Sequence, residues 1–446
     1  MAPTSTLVLS DSNVAGGVDI IGAGAMVWSG TVNLLGDVTL GATAPTLSDD
    51  LDRFFTFIRG SGYKLTTYGL VNVVKNLVLD SGATWENFGT VNVGPASPSM
   101  LAFNLSAVFN NKSGGVVDVR DGSRLELATT TVINNEAGAL LKVDSTGTSA
   151  FSGGNQGQLL NAGTIVKTGS GTTPAPLTNL AGGVLKIEGG SFGVAFTQAN
   201  ANAGTIEIAS SATLLSNNGV ELYNAGTIRG TGKININGEG GKLVNNGVVA
   251  PGGSGQIGTL TLNGQYTQGP MGALNIRLAD ATSDQFNVND AVQLAGAVNV
   301  STLRGGMPTN GAVADFLVAS SGRTGTFSQV NTTPVVTPET TGTLSVIYPA
   351  SGSTVAQVKA TTAPTTPVVT TPVVTTPVTP VVEQPVSICS IAPDSALCIV
   401  LSPPSPSKPV VPVLQVMNEV IKTVASNANT NLEPQIAQGI STSVAH

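Results

Sequence analysis

Residues 202–208 read NAGTIEI, and nearly the same letters return at 224–230 as NAGTIRG and at 245–251 as NNGVVAP. Five further copies precede these three, each with asparagine, then glycine, then alternating apolar residues. The last glycine before each apolar run recurs every 20 to 26 residues, at Gly89, Gly115, Gly138, Gly163, Gly183, Gly204, Gly226 and Gly247. A strand-based repeat of this length predicts a solenoid, because each coil can bury its apolar positions only against the next coil.

Alternation within the repeat predicts which side chains form the core. In NAGTIEI, Ile206 and Ile208 should point inward, while Thr205 and Glu207 should face water. The asparagines and glycines should take the corners between strands, in a left-handed backbone conformation that suits both residue types. The corner residues predicted in this way include Asn161, Gly163, Asn202, Gly204, Asn224 and Gly226. The fold class is therefore predicted as all-β, a right-handed parallel β-helix.

Changes in composition and in the repeat pattern along the sequence divide the chain into regions. The rod is expected over residues 1–335, followed by a β-rich end over 336–359. Within the rod, LSDDLDRFFTFIRGSGYKL (47–65) departs from the repeat, and its phenylalanines favour a short helix or a lateral insertion. Residues 360–412 hold 12 of the chain's 25 prolines and predict an extended polyproline-II linker. Residues 413–446 carry apolar side chains at helical spacing and predict a short amphipathic helix.

Composition excludes several classes of function. Charged residues make up 10% and aromatic residues 4% of the chain, while 54 of 446 residues are glycine, which is typical of many short strands and tight turns. The single histidine is the last residue, so histidine-based triads and histidine-ligated zinc sites lack their residue. A net charge of −7 disfavours nucleic acid as a partner. No apolar run reaches the ~20 residues of a membrane span.

Carboxylate clusters deserve inspection because β-helices include polysaccharide lyases and hydrolases. Asp280, Asp284 and Asp290 lie near Arg277, but their spacing places them on a loop and the next strand. We therefore favour solvated turn residues over a catalytic or a calcium-binding role.

A second acidic cluster, Asp49, Asp50 and Asp52, lacks the residue order of a calcium loop and is interpreted as a solvated helix start. The sequence thus predicts no catalytic residue, no metal site and no cofactor.

The two cysteines of the chain, Cys389 and Cys398, lie inside the proline-rich region. A metal site would need four ligands, and only two thiols and one distant imidazole exist. A disulfide that closes the loop 389–398 is the favoured interpretation, and it implies an oxidising compartment.

A resemblance to a known family rests on the order of motifs near the end of the rod. NNGVVAPGGSGQIGTLTLNGQYTQ (245–268), SDQFNV (283–288) and GTFSQV (325–330) look like the end of the passenger β-helix of autotransporters and filamentous-haemagglutinin-like exoproteins. With the repeats, the resemblance covers roughly residues 80–330. The Pro- and Thr-rich continuation differs from an outer-membrane barrel, which favours the two-partner secretion class. The chain resembles the C-terminal part of such an exoprotein.

The resemblance implies partners and a location. Two-partner exoproteins are exported by a separate outer-membrane transporter barrel and bind host-cell or matrix receptors. High-molecular-weight adhesins of this class are similar in carrying a C-terminal cysteine pair that tethers the chain, which assigns a tether role to Cys389 and Cys398. We therefore expect a non-enzymatic adhesin on the surface of a Gram-negative bacterium, or secreted from it. The alternative is a β-helical polysaccharide-processing enzyme or a tailspike-like glycan-binding protein.

Overall fold

The computed structural model of the chain describes residues 6–20, 25–41, 46–49, 55–95, 98–128, 130–144, 146, 150–152, 157–194, 202–216, 221–236, 241–349 and 354–365. Within these ranges there are 44 strands, and the one helical element is a 3-10 turn, Leu303–Gly305. The prediction of an all-β parallel solenoid is confirmed. Most coils contribute one strand to each of three faces, named here the first, second and third face. The long strand β3 (Ala25–Leu35) pairs with strands of both the second and the third face.

Strands of the same face lie above one another in successive coils. The first face comprises β2 (Val18–Ile20), β4 (Val38–Leu40), β7 (Lys64–Thr67), β10 (Thr84–Asn87), β13 (Val108–Asn111), β16 (Val132–Asn135), β19 (Gln158–Asn161), β22 (Leu177–Asn179), β27 (Leu222–Asn224), β30 (Lys242–Asn245), β33 (Gln265–Gln268), β37 (Val292–Leu294) and β40 (Arg323–Gly325). An isolated bridge at Asn202 joins β22 to β27.

The second face begins with two long strands. It comprises β1 (Thr6–Ala15), β3 (Ala25–Leu35), β5 (Thr46–Asp49), β8 (Leu70–Val73), β11 (Thr90–Val93), β14 (Val116–Val119), β17 (Leu140–Asp144), β20 (Thr164–Thr168), β23 (Val184–Ile187), β25 (Thr205–Ile208), β28 (Thr227–Gly230), β31 (Val248–Pro251), β34 (Ala273–Ala279), β38 (Ala297–Thr302) and β41 (Gln329–Thr332). A short antiparallel strand, β35 (Thr282–Ser283), folds back on β34.

The third face completes each coil and is closed at its end by antiparallel strands. It comprises β6 (Thr56–Arg59), β9 (Asn76–Asp80), β12 (Met100–Phe103), β15 (Arg124–Leu127), β18 (Phe151–Ser152), β21 (Thr172–Ala175), β24 (Gly190–Val194), β26 (Ala212–Ser216), β29 (Lys233–Ile236), β32 (Thr259–Asn263), β36 (Gln285–Val288) and β39 (Val313–Ala319). The closing strands are β42 (Val335–Val336), β43 (Thr340–Ile347) and β44 (Val355–Pro364).

The core runs along the inside of the three faces as one hydrophobic cluster. Ile206 is fully buried and pairs in register with Leu185 in the coil before and Ile228 in the coil after. Glu207, the next residue, is half-buried and faces outward. The predicted inward and outward positions of this strand are therefore confirmed, and each strand buries its apolar residues against the same positions of its neighbours.

The helix or lateral insertion predicted for 47–65 is wrong in the described part of that segment. β5, β6 and β7 are ordinary coil strands in register with their neighbours, and Asp49 ends β5 rather than starting a helix. Phe55 and Phe57 lie outside the main core and pack on a second apolar cluster formed by Val78, Met100 and Ala102. Outward phenylalanines break the usual alternation, which is why the segment looked unlike a coil. Asp50 and Asp52 lie outside the described residues.

The predicted linker boundary at residue 360 is also wrong. β44 continues to Pro364, and its residues 360–364 pair with Thr340–Leu344 of β43. Proline is tolerated at this position because it ends the strand, where its missing N–H costs the ladder little. The rest of the linker from residue 366, both cysteines and the predicted helix over 413–446 lie outside the described residues. Within the part that the structure describes, no helix has the length and hydrophobicity to span a lipid bilayer.

Candidate functional site: a buried amide ladder and a polar groove

The asparagines that were predicted at corners end the strands of the first face, and their side chains point into the core. Asn161, Asn202 and Asn224 are at most 1% exposed. They belong to a ladder in which each Nδ2 donates to Oδ1 of the next residue, over 2.7 to 2.9 Å. Its members are Asn87, Asn111, Asn135, Asn161, Asn179, Asn202, Asn224 and Asn245. In this ladder eight buried side-chain amides form hydrogen bonds with one another, because buried polar groups need hydrogen-bond partners.

The ladder is also satisfied sideways and at both ends. Asn135 Nδ2, for example, donates a further hydrogen bond of 3.0 Å to the backbone oxygen of Thr164. At one end Thr67 Oγ1 donates to Asn87 Oδ1, and at the other end Asn245 Nδ2 donates to the hydroxyl of Tyr266. Burial raises the pKa of the Tyr266 hydroxyl far above its ordinary value, so this group stays protonated. A fully satisfied buried network of this kind fixes the register of the coils.

The left-handed conformation predicted for the corner residues is wrong for Asn161, Gly163, Asn202, Gly204, Asn224 and Gly226, although Gly138 of an earlier repeat does adopt it, with φ at 80°. Asn161, Asn202 and Asn224 do not have a positive φ, and neither do the glycines two residues after them. Close approach explains the glycines instead, since a Cβ on Gly226 would overlap the backbone oxygen of Gly204 in the coil before. The corner excludes side chains because the coils touch there, whatever their backbone angles.

The acidic residues near Arg277 do not come together. Asp280 is exposed in the turn between β34 and β35, with φ at 51°, and Asp290 accepts a hydrogen bond from the N–H of Ala291. Asp284 is fully buried, so its interpretation as a solvated turn residue is wrong. Asp284 faces inward like Phe286, two residues later. The alternation of inward and outward positions along the sequence already indicates this. No group of three or more potential metal-ligating side chains occurs among the residues described.

The buried Asp284 instead forms an ion pair with Arg277, which is partly exposed. Nε of Arg277 lies 2.6 Å from Oδ2 of Asp284, and Nη2 lies 3.1 Å from Oδ1. The backbone N–H groups of Gly258 and Arg277 donate to the same carboxylate, each over 3.0 Å. Burial raises the pKa of the Asp284 carboxyl, and the guanidinium and N–H groups oppose this shift. Removal of charges from water offsets much of their attraction, so an ion pair of this kind fixes geometry more than it adds stability.

The geometry that the ion pair fixes is the loop over residues 252–258. Nη2 of Arg277 donates to the backbone oxygen of Gln256 over 2.8 Å, and Nη2 of Arg304 donates to that of Gly255 over 3.2 Å. Gly252 has φ at 94°, and a Cβ there would collide with the Asp284 carboxylate. The loop is therefore held rigidly and stands beside the outer surface of the second face.

Together the loop and the second face form a groove of about 950 Å³, which is lined by residues of seven successive strands from β23 to β41. At ~4.8 Å per strand the groove is ~29 Å long and runs along the rod axis. One outward column forms its floor, in the order Lys186, Glu207, Arg229, Ala250, Asn275, Asn299 and Asn331.

Four of the five charged side chains that line the groove lie at one end, and the fifth, Arg277, lies on β34. Glu207 is ion-paired with Arg229, and its carboxylate lies 3.9 Å from the ammonium of Lys186. Glu188 lies on the same surface. The other end is an amide row, in which Asn299 Nδ2 donates to Asn275 Oδ1 over 2.7 Å and Asn331 Nδ2 donates to Asn299 Oδ1 over 2.8 Å. Such a surface offers charge at one end and paired donors and acceptors at the other.

No protein-family model matches this chain, and no curated protein sequence matches it either. The parallel β-solenoid is established by the structure itself.

Removing the cation of the buried pair should produce a pH-dependent loss of stability. In Arg277→Met the carboxylate of Asp284 is left buried without a counter-charge, which raises its folded-state pKa further above the unfolded value of ~3.9. A raised pKa means that the folded state is favoured by protonation, so stability is lost as the pH rises. We expect a loss of about 3 kcal/mol at pH ~7.5 and a smaller one at pH ~4.5 in urea denaturation. The double variant Arg277→Met/Asp284→Asn should remove the pH dependence, whereas equal losses at both pH values would contradict the assignment.

Proposed function

We propose that this chain is a surface-exposed or secreted bacterial adhesin whose solenoid presents a binding surface along its outer side. The observation that carries the proposal is the groove on the second face, which extends over seven coils beside a rigid loop. Stacked repeats create extended binding surfaces of this kind, because each coil adds the same outward positions. The core beneath is closed by its own contacts, so outward side chains can vary without loss of fold.

The proposal includes export by a two-partner secretion transporter, a separate outer-membrane barrel. Its support is the resemblance of residues 80–330 to exoproteins of that class, together with the solenoid fold. The receptor is proposed to be a protein or glycan of a host cell or matrix, and the proposal involves neither nucleic acid nor a cofactor.

Adherence tests the function directly. Beads coated with the purified chain should attach to host-cell monolayers or matrix-coated wells, and soluble chain should compete for the same sites. Beads coated with heat-unfolded chain are the matched control, because their composition and charge are identical. Attachment no greater than that of the unfolded control on every surface would contradict the proposal.

The tether makes a separate prediction. Replacing Cys389 and Cys398 together by serine should release the protein from cells into the medium, since a disulfide that closes a short loop adds bulk and shape to that segment and little stability to the rod. The ratio of cell-bound to released protein, measured by immunoblot, checks this expectation. Retention on cells at the wild-type level would rule out the tether, and protease sensitivity of the released rod would instead give the cysteines a structural role.

A glycan-processing enzyme is the second candidate, and one observation favours it: Glu188 and Glu207 line the same groove. Glycoside hydrolysis uses two carboxyl groups that flank the scissile bond. Incubation with acidic and neutral polysaccharides, followed by assays for reducing ends and unsaturated products, separates the two candidates. Turnover that disappears in Glu188→Gln or Glu207→Gln would establish the enzyme, and binding without turnover supports the adhesin.

A further inference from the structure

Two guanidinium groups flank a notch in the floor of the groove. Arg229 directly precedes Ala250 in the outward column. Gly252, two residues after Ala250, lies next to the guanidinium of Arg277 on the next strand of the face. Ala250 and Gly252 carry little or no side chain, and the gap that they leave in the lining between Arg229 and Arg277 is called the notch here. Arg229 and Arg277 lie on strands two positions apart, or ~9.6 Å along the axis.

Both arginines have hydrogen-bonding capacity left. Arg229 uses Nε and Nη2 on Glu207, and Arg277 uses Nε and Nη2 on Asp284 and Gln256. In each case Nη1, with two N–H donors, takes part in no hydrogen bond with the described residues. A guanidinium that is already held on one edge is pre-organised to bind a carboxylate with its remaining donors.

Charge permits an anionic ligand at this place. The groove is lined by Lys186, Arg229 and Arg277 against Glu188 and Glu207, and the buried carboxylate of Asp284 pairs with Arg277, so positive and negative charges balance. The chain as a whole has a net charge of −7, so this surface repels anions less than the average surface of the molecule. Three cations that already have carboxylate partners are too few for a nucleic-acid backbone, which needs many phosphate contacts.

The amide row indicates a ligand rich in hydroxyl groups. Asn275, Asn299 and Asn331 repeat at ~4.8 Å, and a side-chain amide carries two N–H donors and two acceptor lone pairs. Asn299 uses one N–H and one lone pair within the row, which leaves one of each for a ligand. Hydroxyl groups donate and accept in the same way, so a chain of sugar rings matches the row. None of the residues that line the groove is aromatic, so its contacts are hydrogen bonds and ion pairs.

We propose that this groove binds an unbranched oligosaccharide that carries carboxylates, laid along the rod axis with one carboxylate in the notch between Arg229 and Arg277. The amide row then contacts sugar hydroxyls further along the same chain. The inference deepens the proposed adhesin function by naming its ligand class, and it rests on that function for its biological role.

Oligogalacturonates longer than the groove are the test ligand, and their carboxyl-reduced derivatives are the matched neutral ligand. Calorimetric titration of the full chain should show binding of the acidic form that is about tenfold tighter than binding of the neutral form. Salt at about 0.5 M should abolish most of that difference, because it screens exposed charges. Equal binding of both forms, or no binding of either, would overturn the proposal.

Three variants locate the site. Arg229→Gln should weaken binding of the acidic form about tenfold, through loss of one charge-assisted contact. Ala250→Leu should abolish binding by filling the notch without changing any charge. Arg120→Gln is the control, since Arg120 is a similarly exposed arginine after a second-face strand, beside Asp118 and outside the groove. Unchanged binding in Arg229→Gln or Ala250→Leu would place the ligand elsewhere and contradict the proposal.

The bead assay separates this inference from the function on which it rests. If wild-type beads adhere while the chain fails to bind oligogalacturonate, the ligand assignment is contradicted and the adhesin function is not. Groove-dependent binding without any adherence would uphold the site and remove the adhesin.

Discussion

Replacing Asn135 by alanine should lower the free energy of unfolding by about 4 kcal/mol. The variant removes the acceptor of Asn111 Nδ2 and the donor to Asn161 Oδ1, two groups that are buried and have no access to water. Each orphaned buried group costs about 1–3 kcal/mol, and the missing side chain adds a cavity. Urea denaturation followed by circular dichroism measures the loss.

The neighbouring residue supplies the control for this prediction. Asn134 lies on the same strand and donates to Asn110 over 2.7 Å, but this pair is on the outer side and only partly buried. Water can replace that hydrogen bond, so Asn134→Ala should cost less than about 1 kcal/mol. Similar losses in the two variants would mean that the inner ladder does not stabilise the solenoid.

Placing a carboxylate at Ile206 should have an effect of similar or larger size. Ile206 is fully buried between Leu185 and Ile228, so Ile206→Asp both removes an apolar side chain and buries a charge without a partner. We expect a loss of at least about 4 kcal/mol at neutral pH, which should shrink in acid as the new carboxyl becomes protonated. Protease resistance of residues 160–250 should fall in parallel.

Glu207→Gln is the matched control for Ile206→Asp. Glu207 is the next residue, and its ion pairs with Lys186 and Arg229 lie on the exposed surface. Exposed ion pairs contribute about 0–1 kcal/mol, so this variant should unfold close to the wild type. Equal destabilisation by the two substitutions would contradict the assignment of inner and outer faces.

Much of the fold could be predicted from the sequence because its determinants are local. Strand alternation places Ile206 and Ile208 on one side, and the spacing of Gly183, Gly204 and Gly226 gives the length of a coil. The segment 47–65 was missed because outward phenylalanines obscure the alternation there, although Thr56 and Ile58 remain inward.

Sequence analysis does not predict the inner ladder, although the sequence contains part of the pattern that indicates it. Asn111 stands two residues after Phe109, and Asn161 two residues after Leu159, so strand parity places both amides in the core. Asparagine followed by glycine is also typical of turns, so the pattern favours placing these asparagines at corners rather than in the core. Register between coils decides that the amides can satisfy one another, and no single repeat contains this information.

The groove could not be predicted from any local pattern. Its lining reaches from Lys186 to Asn331, and its wall depends on a loop whose shape is fixed by Arg277 and Asp284. Asp284 looked like one of three solvated turn residues because its partner N–H groups, on Gly258 and Arg277, are set by tertiary structure. A site assembled from seven coils emerges only when the coils are stacked.

Immunolabelling of intact cells tests the proposed surface location most directly. Antibodies raised against the folded rod should label intact cells of the producing organism as strongly as permeabilised cells, or detect the protein in the medium. External protease should remove the label from intact cells. Label that appears only after permeabilisation, with no protein in the medium, would contradict an adhesin at the cell surface.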